Sequence, residues 1–177
     1  MQIDPAISWT IATSVAVLFA VAVSHKLRAW NEFRVVVGNY QLLPAMLVPV
    51  VAGLSIALEA GAAALLVVNA TRVIGGLLSS GLLALYAGAM AVNLLRGRVN
   101  LDCGCLGPGR RQPIRWWMVT RNIAIAIVAL LAAIQPTPRA LDALDAVTIA
   151  GAVLSLAFLY TALNLLHATP RPLRSST

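Results

Sequence analysis

The chain has 177 residues, 60% of them apolar and 11% charged, with a formal net charge of +7 and a mean hydropathy of +0.86. A soluble globular domain carries about 25% charged residues, so this composition excludes one and points to an integral membrane protein. The positive charge does not signify nucleic-acid binding, because the arginines are scattered over short connections between apolar runs, with no basic arm or aromatic stacking platform.

Apolar runs long enough to cross a bilayer core of about 30 Å recur along the chain. They predict an all-α polytopic membrane helix bundle, a four-helix core plus a fifth transmembrane helix. One transmembrane domain is expected over residues 1–168, with spans at about 6–24, 45–68, 73–95, 114–134 and 143–167. No basic side chain precedes Pro5 and no small-x-small cleavage pattern follows, so the N-terminus does not read as a cleavable signal.

The first span is entered at Asp4-Pro5 and closed by His25, Lys26 and Arg28, which suits a helix start and a helix end. Leu27, Trp30, Phe33, Val36 and Val37 then recur at helical spacing beside Arg28, Glu32 and Arg34, predicting a short interfacial helix. Gly38-Asn39-Tyr40 and Leu43-Pro44 end it. In the second span Gly53, Ala57 and Gly61 share a face, and in the third Gly76, Ser80, Ala84 and Gly88 do so. With only a tight turn at Arg72 between them, the two small-residue faces are expected to pack on each other. An arginine-rich loop over residues 96–115 follows, then the fourth span, which Pro136 and Pro138 end. Asp142 and Asp145 open the fifth. The Pro-, Arg- and Ser-rich stretch 169–177 reads as a disordered tail.

Five spans put the two termini on opposite sides. Lys26, Arg28, Arg34, Arg96, Arg98, Arg110, Arg111, Arg115, Arg171 and Arg174 fall on one side, and only Arg72 and Arg139 on the other. That bias predicts the N-terminus outside and the C-terminus in the cytoplasm of a bacterial cytoplasmic (inner) membrane.

Both cysteines lie in Leu101-Asp102-Cys103-Gly104-Cys105-Leu106-Gly107-Pro108-Gly109. A Cys-Gly-Cys pair can close a very small disulfide ring, which departs from relaxed geometry and is easily reduced. Arg110 and Arg111 favour the thiolate, and Asp102 opposes it. Three readings stay open: inert thiols in a membrane loop, half of a soft-metal site, and thiol–disulfide exchange. Metal is disfavoured because His25 and His167 lie at the ends of other segments and no donor cluster adjoins the pair. For exchange, Cys105 is the preferred attacking thiol, since Gly104 and Gly107 leave it accessible. The predicted topology puts this loop where thiols are normally kept reduced, so either the cysteines dip into the bundle or the span count is off by one.

Glu59 is a carboxylate near mid-bilayer, an expensive placement that marks a functional or paired group. Arg121 is its best partner on charge, although Arg121 could equally snorkel to the headgroups. Asn93, Asn122 and Asn164 read as interhelical hydrogen-bond donors, Trp116 and Trp117 as interface anchors, and His25 as a weak candidate proton donor. There is no nucleotide fingerprint and no axial-ligand pair, so neither flavin nor haem is indicated. A quinone stays open as a partner by analogy with other membrane disulfide enzymes.

His25-Lys26-Leu27, Asn39-Tyr40-Gln41-Leu42-Leu43-Pro44, Leu58-Glu59, Cys103-Gly104-Cys105-Leu106-Gly107 and Arg121-Asn122, in this order, resemble the methylamine utilization protein MauE family, itself similar to DoxX-like membrane proteins. Leu106 departs from the phenylalanine usual there. The resemblance covers about residues 10–135 and implies a membrane bundle associated with disulfide handling. A thioredoxin-like partner follows from it, as does a disulfide-bearing client such as methylamine dehydrogenase. Cys103 and Cys105 would be the reacting pair, with Lys26, Tyr40, Glu59, Arg121 and Asn122 in support. Whether the chain is an enzyme stays open, the alternatives being a non-enzymatic assembly subunit and a small-solute or metal carrier using Glu59.

Overall fold

A computed structural model describes residues 3–103, 112–134 and 136–167. The stretch 169–177 lies outside them. Among the described residues six α-helices form: α1 (Pro5–Arg28), α2 (Trp30–Asn39), α3 (Val48–Val67), α4 (Arg72–Leu95), α5 (Trp116–Leu131) and α6 (Ala143–His167). Among the described residues strand-like pairing is confined to two isolated bridges, Ile3 with Pro136 and Asp102 with Pro113. The molecule is an all-α polytopic membrane bundle. Among the described residues four helices are long and apolar enough to cross a bilayer, and α5 is shorter at 16 residues, about 24 Å of rise.

The helix ends follow from local chemistry. Asp4 caps α1 by accepting from the Ala6 N–H at 2.8 Å, with Pro5 in the first position, where a missing donor costs nothing. Between α3 and α4, a single 3₁₀ turn over Asn69–Thr71 suffices, and the Thr71 hydroxyl donates to the Leu65 carbonyl at 3.0 Å. At the start of α6, Asp142 and Asp145 each accept the other's backbone N–H, at 2.8 and 3.0 Å, a reciprocal cap of the capping-box type. Arg139 joins this end of the molecule by donating to Asp145 and Asp4. Those hydrogen bonds, Asp145 first, raise its guanidinium above the ordinary arginine range.

Helices α1, α3, α4 and α5 close a ring in which α1 and α4 each touch both α3 and α5. Their shared core holds Ala12, Val15 and Phe19 of α1, Leu66 of α3, Leu82 of α4 and Ala129 of α5. Helix α6 lies outside the ring against α1, and Leu144, Leu154, Phe158 and Leu166 on it are each more than 70% exposed, an apolar surface suited to lipid. Helix α2 is short, at 10 residues, and packs on α3, with Trp30 close to Gly53.

The small-residue packing differs from expectation. Ala57, Ala84 and Gly88 are exposed, and a Cβ added at Gly61 or Gly88 would meet nothing within 4 Å. Close approach is made by Gly76, a member of the expected face, and by its neighbour Gly75. A Cβ on Gly75 would lie 2.8 Å from the Leu66 nitrogen of α3, and one on Gly76 would lie 2.9 Å from the Ala129 carbonyl oxygen of α5. Because α4 sits between α3 and α5, consecutive residues serve its two neighbours, which a single four-residue stripe cannot do.

Candidate functional site

The cysteine loop is set by how α4 ends. Gly97 takes a positive φ of 74°; its N–H donates to the Leu94 carbonyl, and that of Arg98 donates to the Asn93 carbonyl, both at 3.0 Å. This is a Schellman closure, and its left-handed residue suits glycine. Arg98 then donates to the Asn93 side chain and to the Tyr40 carbonyl, each at 3.3 Å, tying the end of α4 to the α2–α3 connection. In that connection Gln41 has a φ of 48°, the one non-glycine positive φ among the described residues.

Beyond Arg98 the chain pairs with itself. The Cys103 N–H donates to the Gln112 carbonyl at 3.0 Å and the Ile114 N–H to the Leu101 carbonyl at 2.9 Å. The Asp102 carboxylate accepts from the Gln112 N–H at 3.2 Å. Residues 101–103 and 112–114 are therefore pinned to each other. Ile114 is buried with Met90, Leu94 and Met118, and Tyr40, Leu101, Cys103 and Trp117 pack on this cluster. Cys103 is half-buried. Gln112 is buried, with neither atom of its side-chain amide partnered. Gly104, Cys105, Leu106, Gly107, Arg110 and Arg111 lie outside the described residues, and so does the expected pairing of Cys103 with Cys105.

Glu59 is 1% exposed, and its partner is Lys26, not Arg121. One carboxylate oxygen accepts from the Lys26 ammonium and, at 2.6 Å, from the Tyr86 hydroxyl. The other oxygen has no partner. The Lys26 ammonium also lies 4.8 Å from the centre of the Phe33 ring and 5.0 Å from that of Tyr86, within cation–π range. The correction has a simple cause. Glu59 faces inward among α1, α3 and α4, so the last turn of α1 can deliver a long side chain to it, whereas α5 borders α4 and α1. Lys26 accordingly turns into the protein although it sits among helix-end cations.

Arg121 instead donates to Asn164 of α6 and, at 3.3 Å, to Asn122 beside it. It lies 5.0 Å from the Trp117 ring centre and 5.3 Å from that of Tyr160. The three asparagines, expected as interhelical donors, accept from arginines: Asn93 from Arg98, and Asn122 and Asn164 from Arg121. Asn93 and Asn164 give their own N–H groups to carbonyls one turn back in the same helix.

The structure thus brings Tyr40 and Cys103 to one cluster, Lys26 and Glu59 to a second group, and Arg121 and Asn122 to a third. Sequence reasoning missed Tyr86, Arg98 and Gln112. A hydroxyl among the apolar residues of the third span was the available signal for Tyr86, because it needs a buried acceptor as Glu59 needs a donor.

No solved structure matches the chain. The chain is 39% identical over 128 residues to the methylamine utilization protein MauE of Paracoccus denitrificans, an alignment covering 72% of this chain and 69% of that one. It is 39% identical to the protein of that name from Paracoccus versutus, covering 94% and 90% of the two chains. Against the one from Methylophilus methylotrophus it is 35% identical, covering 94% and 89%. The profile of the family described as methylamine utilisation protein MauE matches residues 4–135, which takes in the cysteine hairpin, the lysine–glutamate pair and Arg121. The chain belongs to the MauE family.

Proposed function

We propose that this protein serves methylamine utilisation as a membrane component of thiol–disulfide exchange, with Cys103 and Cys105 as the reacting pair. The observation that carries the proposal is the position of Cys103. It is half-buried where its N–H donates to the Gln112 carbonyl, immediately before the Gly104-Cys105 dipeptide. The pinned backbone holds one thiol in a fixed place, and the second follows two residues later in the sequence.

In the exchange, the Cys105 thiolate attacks one sulfur of a partner disulfide, and the partner's other sulfur leaves as a thiolate. The Cys103 thiolate then attacks Cys105 in the mixed disulfide. The Cys103–Cys105 bond forms, the partner leaves with two thiols, and the two protons given up by the pair are balanced by those the partner gains. Run in reverse, the ring disulfide oxidises a partner dithiol. A thioredoxin-like protein suits the partner role, and a disulfide-bearing client lies beyond it. A quinone is the candidate electron acceptor by analogy with membrane disulfide enzymes. The proposed setting is a bacterial inner membrane, with the N-terminus outside and the C-terminus in the cytoplasm.

The test is a redox titration of the purified protein read by mass-shift alkylation, paired with complementation by Cys103→Ser and Cys105→Ser. A reversible pair with a potential above about −300 mV is expected, since structural disulfides lie below that value. Either serine variant should lose function while keeping its helical content, because helix packing holds the bundle. Two thiols that never pair, or full function from both variants, overturn the proposal in favour of a non-enzymatic assembly subunit.

A further inference from the structure

Away from the cysteine hairpin, where α1 and α4 begin and α5 ends, lies a cavity of about 630 Å³. Trp9, Arg72, Val73, Ile134, Pro138 and Leu141 are among its lining residues. Arg72 is 2% exposed. Its Nη1 donates to the Ser8 hydroxyl at 3.3 Å, and its guanidinium lies 3.8 Å from the centre of the Trp9 ring. The Nε and Nη2 groups have no partner.

Those two nitrogens form one edge of the guanidinium, the side-on fork that matches two oxygens of a tetrahedral or carboxylate anion. The charge around it is not balanced within the described residues. Arg139 also lines the cavity, but it takes up both Asp145 and Asp4. Asp142 is engaged in the cap of α6. Arg72 is moreover the first residue of α4, so the positive end of that helix adds to the same field. A buried, half-unsatisfied cation is expensive to maintain unless an anion completes it. The apolar side chains of Val73, Ile134 and Leu141 would receive the part of a ligand that is not charged.

We propose that this cavity binds a phosphate group, held side-on by Arg72 beneath the Trp9 ring and supplied by a lipid headgroup or by free phosphate. The position favours the headgroup, since membrane phosphates lie at the level of helix ends. The site is independent of the cysteine chemistry.

The experiment uses the full chain, purified, delipidated and held in neutral detergent, and reads the thermal unfolding midpoint. The probes are dioctanoyl phosphatidylglycerol, dioctanoylglycerol with the same chains and no phosphate, and inorganic phosphate against chloride at equal ionic strength. The phospholipid should raise the midpoint saturably and dioctanoylglycerol should not. Arg72→Lys keeps the buried charge but loses the fork, and should weaken the apparent affinity roughly tenfold or more. Should that variant not fold, a diazirine-bearing phosphatidylglycerol on the wild-type protein should label peptides containing Trp9 or Ile134. Stabilisation by inorganic phosphate as strong as that by phospholipid supports the site and makes free phosphate its source. No shift with either phosphate probe, an equal response from Arg72→Lys, or labelling only elsewhere overturns the proposal.

Discussion

The buried pair of Lys26 and Glu59 gives the sharpest prediction of stability. Their side chains are 8% and 1% exposed, so either residue left alone would be a charge with almost no water around it. Breaking such a pair costs about 3–5 kcal/mol, and Glu59→Leu should fall in that range, with the Tyr86 hydroxyl losing its acceptor in the same stroke. Glu59→Gln keeps an oxygen for both donors and loses only the charge, so about 1–3 kcal/mol is expected. Lys26→Met leaves the carboxylate with Tyr86 alone and should cost roughly as much as Glu59→Leu. The double variant Lys26→Met with Glu59→Leu removes both charges at similar volume and should return to within about 2 kcal/mol of wild type. The two single costs would therefore fail to add, with a coupling of about 4 kcal/mol or more. The assay is equilibrium unfolding in mixed micelles followed by helical circular dichroism, on the four proteins of the cycle. Additive costs would refute the reasoning, since they would mean that neither residue suffers from the other's removal. Complementation by the double variant adds a functional readout: a folded but inactive protein assigns the pair a role beyond holding α1 to α3.

Gly75→Ala and Gly76→Ala should each destabilise by about 1–3 kcal/mol, because the new methyl would press on the backbone of α3 or α5. Gly61→Ala and Gly88→Ala, with nothing within 4 Å, should be neutral or gain up to about 1 kcal/mol of helix propensity; equal effects at all four sites in the same unfolding assay would contradict the packing. Reporter fusions after Arg98 and after Arg174 should be active on the cytoplasmic side, and activity of an exported reporter at either point would reverse the proposed orientation.

The chain alone showed where helices form and what each must solve. Apolar length marks the segments, and Asp4-Pro5 and Asp142 mark two of the starts. A mid-span carboxylate states that something must meet it, and the order of Asn-Tyr-Gln-Leu-Leu-Pro and Cys-Gly-Cys is enough to suggest the family. What the chain could not show is which side of each helix faces protein. In water that side is legible because burial rewards apolar residues and exposure rewards polar ones. In lipid both sides are apolar, and packing selects by shape instead. On α4, Leu82 is 5% exposed and Leu85 is 66% exposed, yet they are the same residue type. Hence, of the evenly spaced positions on α4, Gly76 makes a close contact but with α5, and the approach to α3 falls to its neighbour Gly75. The same limit hid the partners of the buried charges. Lys26 looks like any helix-end cation and Arg72 like any turn arginine until α1 is set beside α3, and Trp9 and Ser8 beside the start of α4. Coulomb attraction reaches across helices without regard to sequence distance, so only the closed ring of four helices decides that Glu59 meets Lys26, that Arg121 turns to α6, and that Arg72 is left with an open edge.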